Sequence, residues 1–139
     1  MGIKSFLHRI TAPKFERFIR RDQSVKMVFV INQELKMGKG KIAAQVGHGA
    51  VKATLKSGEV RPELLDAWLS TGQKKICVKA EEANALKRIE QQAKQDGVLT
   101  TTIHDAGHTQ IPAGSLTVLV LGPDEESKLD TITGQLKLL

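Results

Sequence analysis

Apolar residues in this chain fall into short blocks whose period switches between continuous runs and helical spacing. Met27 to Ile31 is apolar without interruption, the mark of a strand covered on both faces. Residues 32–40 follow as a glycine-containing loop. A helix is then expected over 41–56, with Gly58 ending it. Pro62 suits the first turn of a second helix over 62–71, which Gly72 stops. Lys75 to Lys79 reads as a strand, Glu81 to Gln95 as a helix, and 98–103 as a further strand after Gly97. Asp105 to Gly114 is loop-like. Leu116 to Leu121 is a second buried strand, which Gly122-Pro123-Asp124 breaks before a last short helix. Strands separated by helices predict an α/β sandwich on a largely parallel sheet. In such sheets ligands sit beyond the C-terminal ends of strands. That singles out the loop after the first strand and the loop after Ile103.

Residues 1–25 follow a different pattern. Phe6, Leu7, Ile10, Phe15, Phe18 and Ile19 recur at helix-like spacing, split by Pro13. The division expected is a basic amphipathic arm over 1–25 and one domain over 26–139. An arm of this kind rests on its own domain or on RNA; contact with a membrane surface is the less favoured reading.

Composition sharpens this picture in two ways. The formal net charge is +6, but residues 1–26 hold seven basic and two acidic residues, a local +5, so the main domain is nearly balanced. Its informative charge is local: Lys36, Lys39, Lys41, Lys52 and Lys56 have only Glu34 as a nearby acid in sequence. Cys77 is the single cysteine, set between Ile76 and Val78, so no internal disulfide forms and a reducing compartment is expected. No apolar run reaches the roughly 20 residues that span a bilayer, and residues 1–25 lack the apolar stretch of a secretory signal. The expected location is the cytoplasm.

Two segments carry chemistry. The first runs Lys36-Met-Gly-Lys-Gly-Lys41-Ile-Ala-Ala-Gln45-Val-Gly-His48-Gly-Ala. At 100° per residue Lys41, Gln45, His48 and Lys52 share an arc of about 60°, one polar stripe on a helix of small and apolar residues. Gly47 and Gly49 each cost about 1 kcal/mol against alanine there, which points to a close approach of backbone or ligand. Ammonium groups and free N–H groups at the helix start favour a phosphate; a solvated basic surface is the plain alternative. The nucleotide-binding Gly-x4-Gly-Lys-Ser/Thr spacing is absent, with Ile42 where a hydroxyl would be needed.

The second segment is Ile103-His104-Asp105-Ala-Gly107-His108-Thr109-Gln110-Ile-Pro112. Asp105 directly after an apolar strand is a candidate catalytic carboxylate. The competing reading is a turn in which it only bonds its own backbone. His104 and His108 imitate a zinc-protease pair, but that chemistry needs a helix, and Gly107 and Pro112 favour a loop. No metal site is expected. There is no Gly-x-Ser-x-Gly elbow, and Cys77 sits mid-strand.

Together these segments resemble the signatures of the archaeal/eukaryotic (type 2) peptidyl-tRNA hydrolases. The matching pieces are Lys36-Met-Gly-Lys-Gly-Lys-Ile-Ala-Ala-Gln45, His48, Gly72-Gln-Lys-Lys75, Asp105-Ala-Gly-His-Thr-Gln110 and Thr133-Gly-Gln-Leu-Lys-Leu-Leu139, spread from Lys26 to Leu139. The resemblance implies a three-layer α/β/α fold on a four-stranded mixed, mostly parallel sheet, and a homodimer. It implies hydrolysis of the ester joining peptide to tRNA without a metal or organic cofactor. By position the catalytic cluster would be Lys41, Gln45, His48, Asp105 and Thr109, with Lys36, Lys39 and Lys52 on tRNA phosphates. Asp105 would orient or deprotonate a water, with Lys41 polarising it or stabilising the oxyanion. Gln45 and Thr109 would hold the water or the carbonyl. Histidine exchanges protons near neutrality, so His48 would assist the leaving 3′ oxygen. Two departures stand out: Asn32-Gln33-Glu34-Leu35 replaces the family's usual Arg-x-Asp-Leu, and Gly49 follows the histidine where the family has alanine or a similar small residue. The alternative to an enzyme is a non-catalytic module that holds RNA or a protein in the same groove.

Overall fold

The computed structural model describes residues 24–108 and 111–139. All but the last two residues of the expected arm lie outside that range, as do Thr109 and Gln110. The elements are β1 (Val25–Asn32), a 3-10 turn (Gln33–Leu35), α1 (Lys39–Val60), α2 (Pro62–Ser70), β2 (Lys75–Ala80), α3 (Ala83–Gln95), β3 (Thr100–His104), β4 (Leu116–Glu125), α4 (Glu126–Thr133) and β5 (Lys137–Leu138).

The apolar runs became strands because both their faces are covered. Met27, Phe29 and Ile31 of β1 join Val118 and Val120 of β4 in a core closed by Ala53 of α1 and by Leu65 and Trp68 of α2. The intervening Val28 and Val30 face the other way. They meet Leu119, Leu121, Leu86 and Ala93 of α3, and Leu129 and Ile132 of α4. The period of two in a strand sorts one continuous run into two cores, giving the three expected layers. Trp68 closes one edge, its indole N–H donating to the Lys74 carbonyl at 2.9 Å.

Among the described residues the sheet has five strands in the order β3-β4-β1-β2-β5, one more than expected because β5 adds a two-residue edge. It is mixed, as expected, but not mostly parallel in its pairing. Among the described strands only β1–β2 is a parallel pair; β1–β4, β2–β5 and β3–β4 are antiparallel. Neighbouring parallel strands need a crossover of a dozen or more residues, usually a helix. Among the described residues none separates β3 from β4, and β4 inserts antiparallel between β3 and β1. β1, β2 and β3 still run the same way, and their C-terminal ends lie at one end of the sheet.

Two boundaries move for local reasons. α1 begins at Lys39, capped by Gly38, and runs through Gly58 to Val60. Gly58 does not stop it: it stays helical, close to Leu65 of α2, and a Cβ there would make an ordinary contact at 3.4 Å. β4 is not broken at Gly122-Pro123-Asp124 either, since Asp124 and Glu125 pair with Lys26 and Val25 across a register shift. Gly122 takes φ +94°, and a Cβ there would meet Asp124 N at 2.7 Å. This is a bulge, where a sheet tolerates glycine and proline.

Candidate active site

Asp105 is the first residue beyond β3, at the end of the sheet where β1 and β2 also finish. Its backbone is fixed on both sides. Asp105 N–H donates to Ser115 O and Gly114 N–H to Asp105 O, each at 2.9 Å, so the loop is clamped at its base. Its carboxylate is fully buried. Oδ2 accepts the Gly107 N–H at 2.9 Å, which is the tight turn considered from sequence. Gly107 supplies it with φ +88°. Oδ1 accepts from Lys41 Nζ in a salt bridge 64 residues apart in the chain. Both readings of Asp105 therefore hold at once: one oxygen builds the turn and the other faces a cation.

Lys41 reaches this point from the first turn of α1. Ile42, Val46 and Ala50 pack on the core, which turns the Lys41 side towards the end of β3. Gly49 sets the separation. A Cβ on it would come within 2.7 Å of Val120 and 3.5 Å of Ile103, so the helix sits on the sheet at a distance only glycine permits. The glycine anomaly thus divides: Gly49 answers to backbone approach, whereas a Cβ on Gly47 would meet nothing within 4 Å.

Gln45, one turn on from Lys41, is 4% exposed and lies on the sheet side of the stripe. His48 is exposed on the outer side and, among the described residues, makes no hydrogen bond to the Lys41–Asp105 pair. Thr109 lies outside the described residues. Lys36 and Lys39 are exposed at the mouth of the site. Lys52 is further along α1, its ammonium donating to Thr102 O at 3.1 Å. So the structure joins Lys41 to Asp105, sets Gln45 behind them, and leaves His48 outward. His104 is an exposed strand residue. Among the described residues no three His, Cys, Asp or Glu side chains are grouped as metal ligands.

Sequence reasoning missed two supports. Asn32 stood out only as a departure from the family pattern, yet it is 2% exposed and ties the site's floor together. Its Nδ2 donates to Leu116 O at 2.9 Å and its Oδ1 accepts Glu34 N–H at 3.1 Å. Thr117 donates to Ile103 O at 3.0 Å from a buried position, holding β4 to the residue pair before Asp105. The available signal was a lone hydroxyl inside the run Leu116-Thr-Val-Leu-Val-Leu121.

Comparison with known proteins gives a consistent result. The family model described as "Peptidyl-tRNA hydrolase PTH2" matches residues 25–139. A peptidyl-tRNA hydrolase of Thermococcus onnurineus is 47% identical over 114 residues, covering 82% of this chain and 97% of that protein. A probable peptidyl-tRNA hydrolase 2 of Drosophila melanogaster is 47% identical over 118 residues, covering 85% of this chain and 63% of the other. Among solved structures, a protein of unknown function from Agrobacterium tumefaciens superposes with a TM-score of 0.55 at 13% identity, over 83% of this chain and 97% of that one. That likeness concerns the fold alone.

Proposed function

Because the chain belongs to the PTH2 family of peptidyl-tRNA hydrolases, and so hydrolyses the ester of peptidyl-tRNA, we propose that the Lys41–Asp105 pair performs the reaction. The observation that carries this is a buried carboxylate against an ammonium where the strands end. The peptidyl ester is activated, so a positioned water and stabilisation of the tetrahedral oxyanion supply most of what is needed. Asp105 fixes and polarises the Lys41 ammonium, and the pair together orients the water. Lys41 has three N–H donors, of which Asp105 takes one; the others are free for the developing oxyanion. Charge–charge attraction is strong where water is scarce, and a preformed pair needs little rearrangement during the reaction.

Gln45 holds the substrate carbonyl or the water from one turn behind, and Thr109 acts from the loop beyond Gly107. His48, exposed at the rim, meets the leaving 3′ oxygen. Lys36 and Lys39 take tRNA phosphates beside the first turn of α1, whose N–H groups have no side-chain cap, and Lys52 takes one further along the helix. A homodimer is part of the same proposal. Its support is Leu138, 69% exposed on the two-residue edge strand β5; a monomer mass in sedimentation would overturn it.

The test is release of a labelled acyl-aminoacyl group from acyl-aminoacyl-tRNA, with EDTA present and Lys41→Ala and Asp105→Ala alongside. We expect release by the parent and a loss of at least about 100-fold in each variant. Full turnover by Asp105→Ala would remove it from the reaction.

A further inference from the structure

The basic residues of α1 beyond Lys41 are arranged by β3. Lys52 Nζ donates to Thr102 O at 3.1 Å, Lys56 Nζ to Thr100 O at 2.7 Å, and the Arg61 guanidinium, just past the helix, to Gly97 O at 3.0 Å. With Lys41 on Asp105, four cations meet positions 105, 102, 100 and 97 in the reverse of their order along α1. The helix therefore runs antiparallel to the edge strand; Lys52 and Lys56 rest on carbonyls of that edge, and Lys41 and Arg61 on acceptors just beyond its two ends. From Lys41 to Arg61 the row spans about 30 Å at the helical rise.

A carbonyl orients an ammonium without neutralising it. Among the described residues no carboxylate lies within ion-pair range of Lys52, Lys56 or Arg61. Lys56, Arg61 and Lys94 also line a depression of about 310 Å³ at the far end of the row. The result is a line of fixed positive charge leading away from the Lys41–Asp105 pair, in which Lys52, Lys56 and Arg61 have no carboxylate within ion-pair range. A polyanion attached to the peptidyl ester is its natural complement.

Resting on the proposed function above, we infer that the phosphate backbone of the tRNA acceptor arm follows this row away from the ester, with Lys56 and Arg61 as phosphate-binding residues. The Thr100 and Gly97 carbonyls hold the two long side chains in place, which reduces the ordering cost that flexible cations carry on binding. The same contacts cover the open edge of β3. Edge cover needs only a donor, whereas phosphate binding needs the charge, so the two roles separate by substitution.

The experiment measures binding of 5′-labelled deacylated tRNA across a salt series, for the parent chain, Lys56→Gln/Arg61→Gln, Lys56→Arg, and Lys87→Gln on the opposite layer. Melting curves check that each variant is folded. Glutamine keeps a donor and loses the charge. We expect the double variant to bind more weakly, with the slope of log affinity against log salt reduced by about 2, about 1 per phosphate contact. Lys56→Arg should keep the parent slope, and Lys87→Gln should leave it unchanged. A parent-like slope in the folded double variant overturns the inference and leaves edge cover as the role; so does a loss in Lys56→Arg equal to that in glutamine. Because binding is read without turnover, failure of the parent to release a labelled acyl group would count against the proposed function and not against this path.

Discussion

Asp105 divides its oxygens between a backbone N–H and an ammonium, so removing its charge and removing its shape should differ. Asp105→Asn keeps an acceptor for Gly107 and loses the partner of Lys41. Its amide N–H group then faces the Lys41 ammonium, so the variant should melt lower than the parent and lose at least about 100-fold in turnover, measured as the rate of peptidyl release at a temperature where it is folded. Gly49 and Gly47 give a second contrast at this scale. A methyl on Gly49 overlaps Val120, so Gly49→Ala should destabilise by about 1–3 kcal/mol, the usual cost of overpacking. A methyl on Gly47 meets nothing, so Gly47→Ala should stabilise by about 1 kcal/mol through helix propensity. Urea midpoints of the two variants should move in opposite directions. In sequence the two glycines were equivalent, because propensity is local and the neighbour that separates them, Val120, is some 70 residues away by chain order.

At the scale of elements, what the sequence showed and what it hid have a common cause. Strand identity was legible in Met27–Ile31 and Leu116–Leu121 because both their faces are buried. Strand direction was not, since the same runs serve parallel and antiparallel neighbours. The cue lay in what was absent: no helix stands between Ile103 and Leu116, and the loop that turns the chain back is the one that presents Asp105. The pairing of Lys41 with Asp105 was suggested only through the family resemblance, because no local rule joins a helix start to a strand end so far apart. β3 also holds an uncompensated polar atom. Thr101 is 3% exposed, and its hydroxyl has no partner among the described residues. Thr101→Val keeps the shape and removes that desolvated hydroxyl, so it should raise stability by about 1 kcal/mol. A lower melting temperature in the variant would show that the hydroxyl is satisfied after all.

Across the whole molecule, charge is sorted between the two ends of the sheet. The end opposite Asp105 carries Lys26 on Asp130 at 2.6 Å, Lys74 on Glu126 at 2.6 Å, and the buried Asp124 with Lys128 at 3.9 Å. Burial pushes the Asp124 carboxyl above its ordinary range, opposed by the Glu125 N–H and by Lys128 and Arg61. The hydrogen bond from Lys74, with Ser24 and the Lys26 charge, holds Glu126 below it. The signs are opposite. For Asp124 the folded state binds its proton more tightly than the unfolded state, so stability declines as pH rises from the ordinary carboxylate range through the raised value. For Glu126 the contribution is present above the ordinary value and is lost as pH falls through the lowered one. Melting temperatures should show the advantage of Asp124→Asn over the parent growing as pH rises through that first window, while Glu126→Gln removes the acid-side loss. The position of β4 has a consequence of another kind, in time. β4 lies between β1 and β3, and all its residues are made after both Lys41 and Asp105. Until Leu116–Glu125 is synthesised and inserted, a helix seated on β1 has no sheet joining it to β3, and Lys41 and Asp105 stay apart. On the proposed assignment of that pair, a growing copy of this chain, itself a peptidyl-tRNA on the ribosome, lacks its reacting groups until synthesis has passed Glu125.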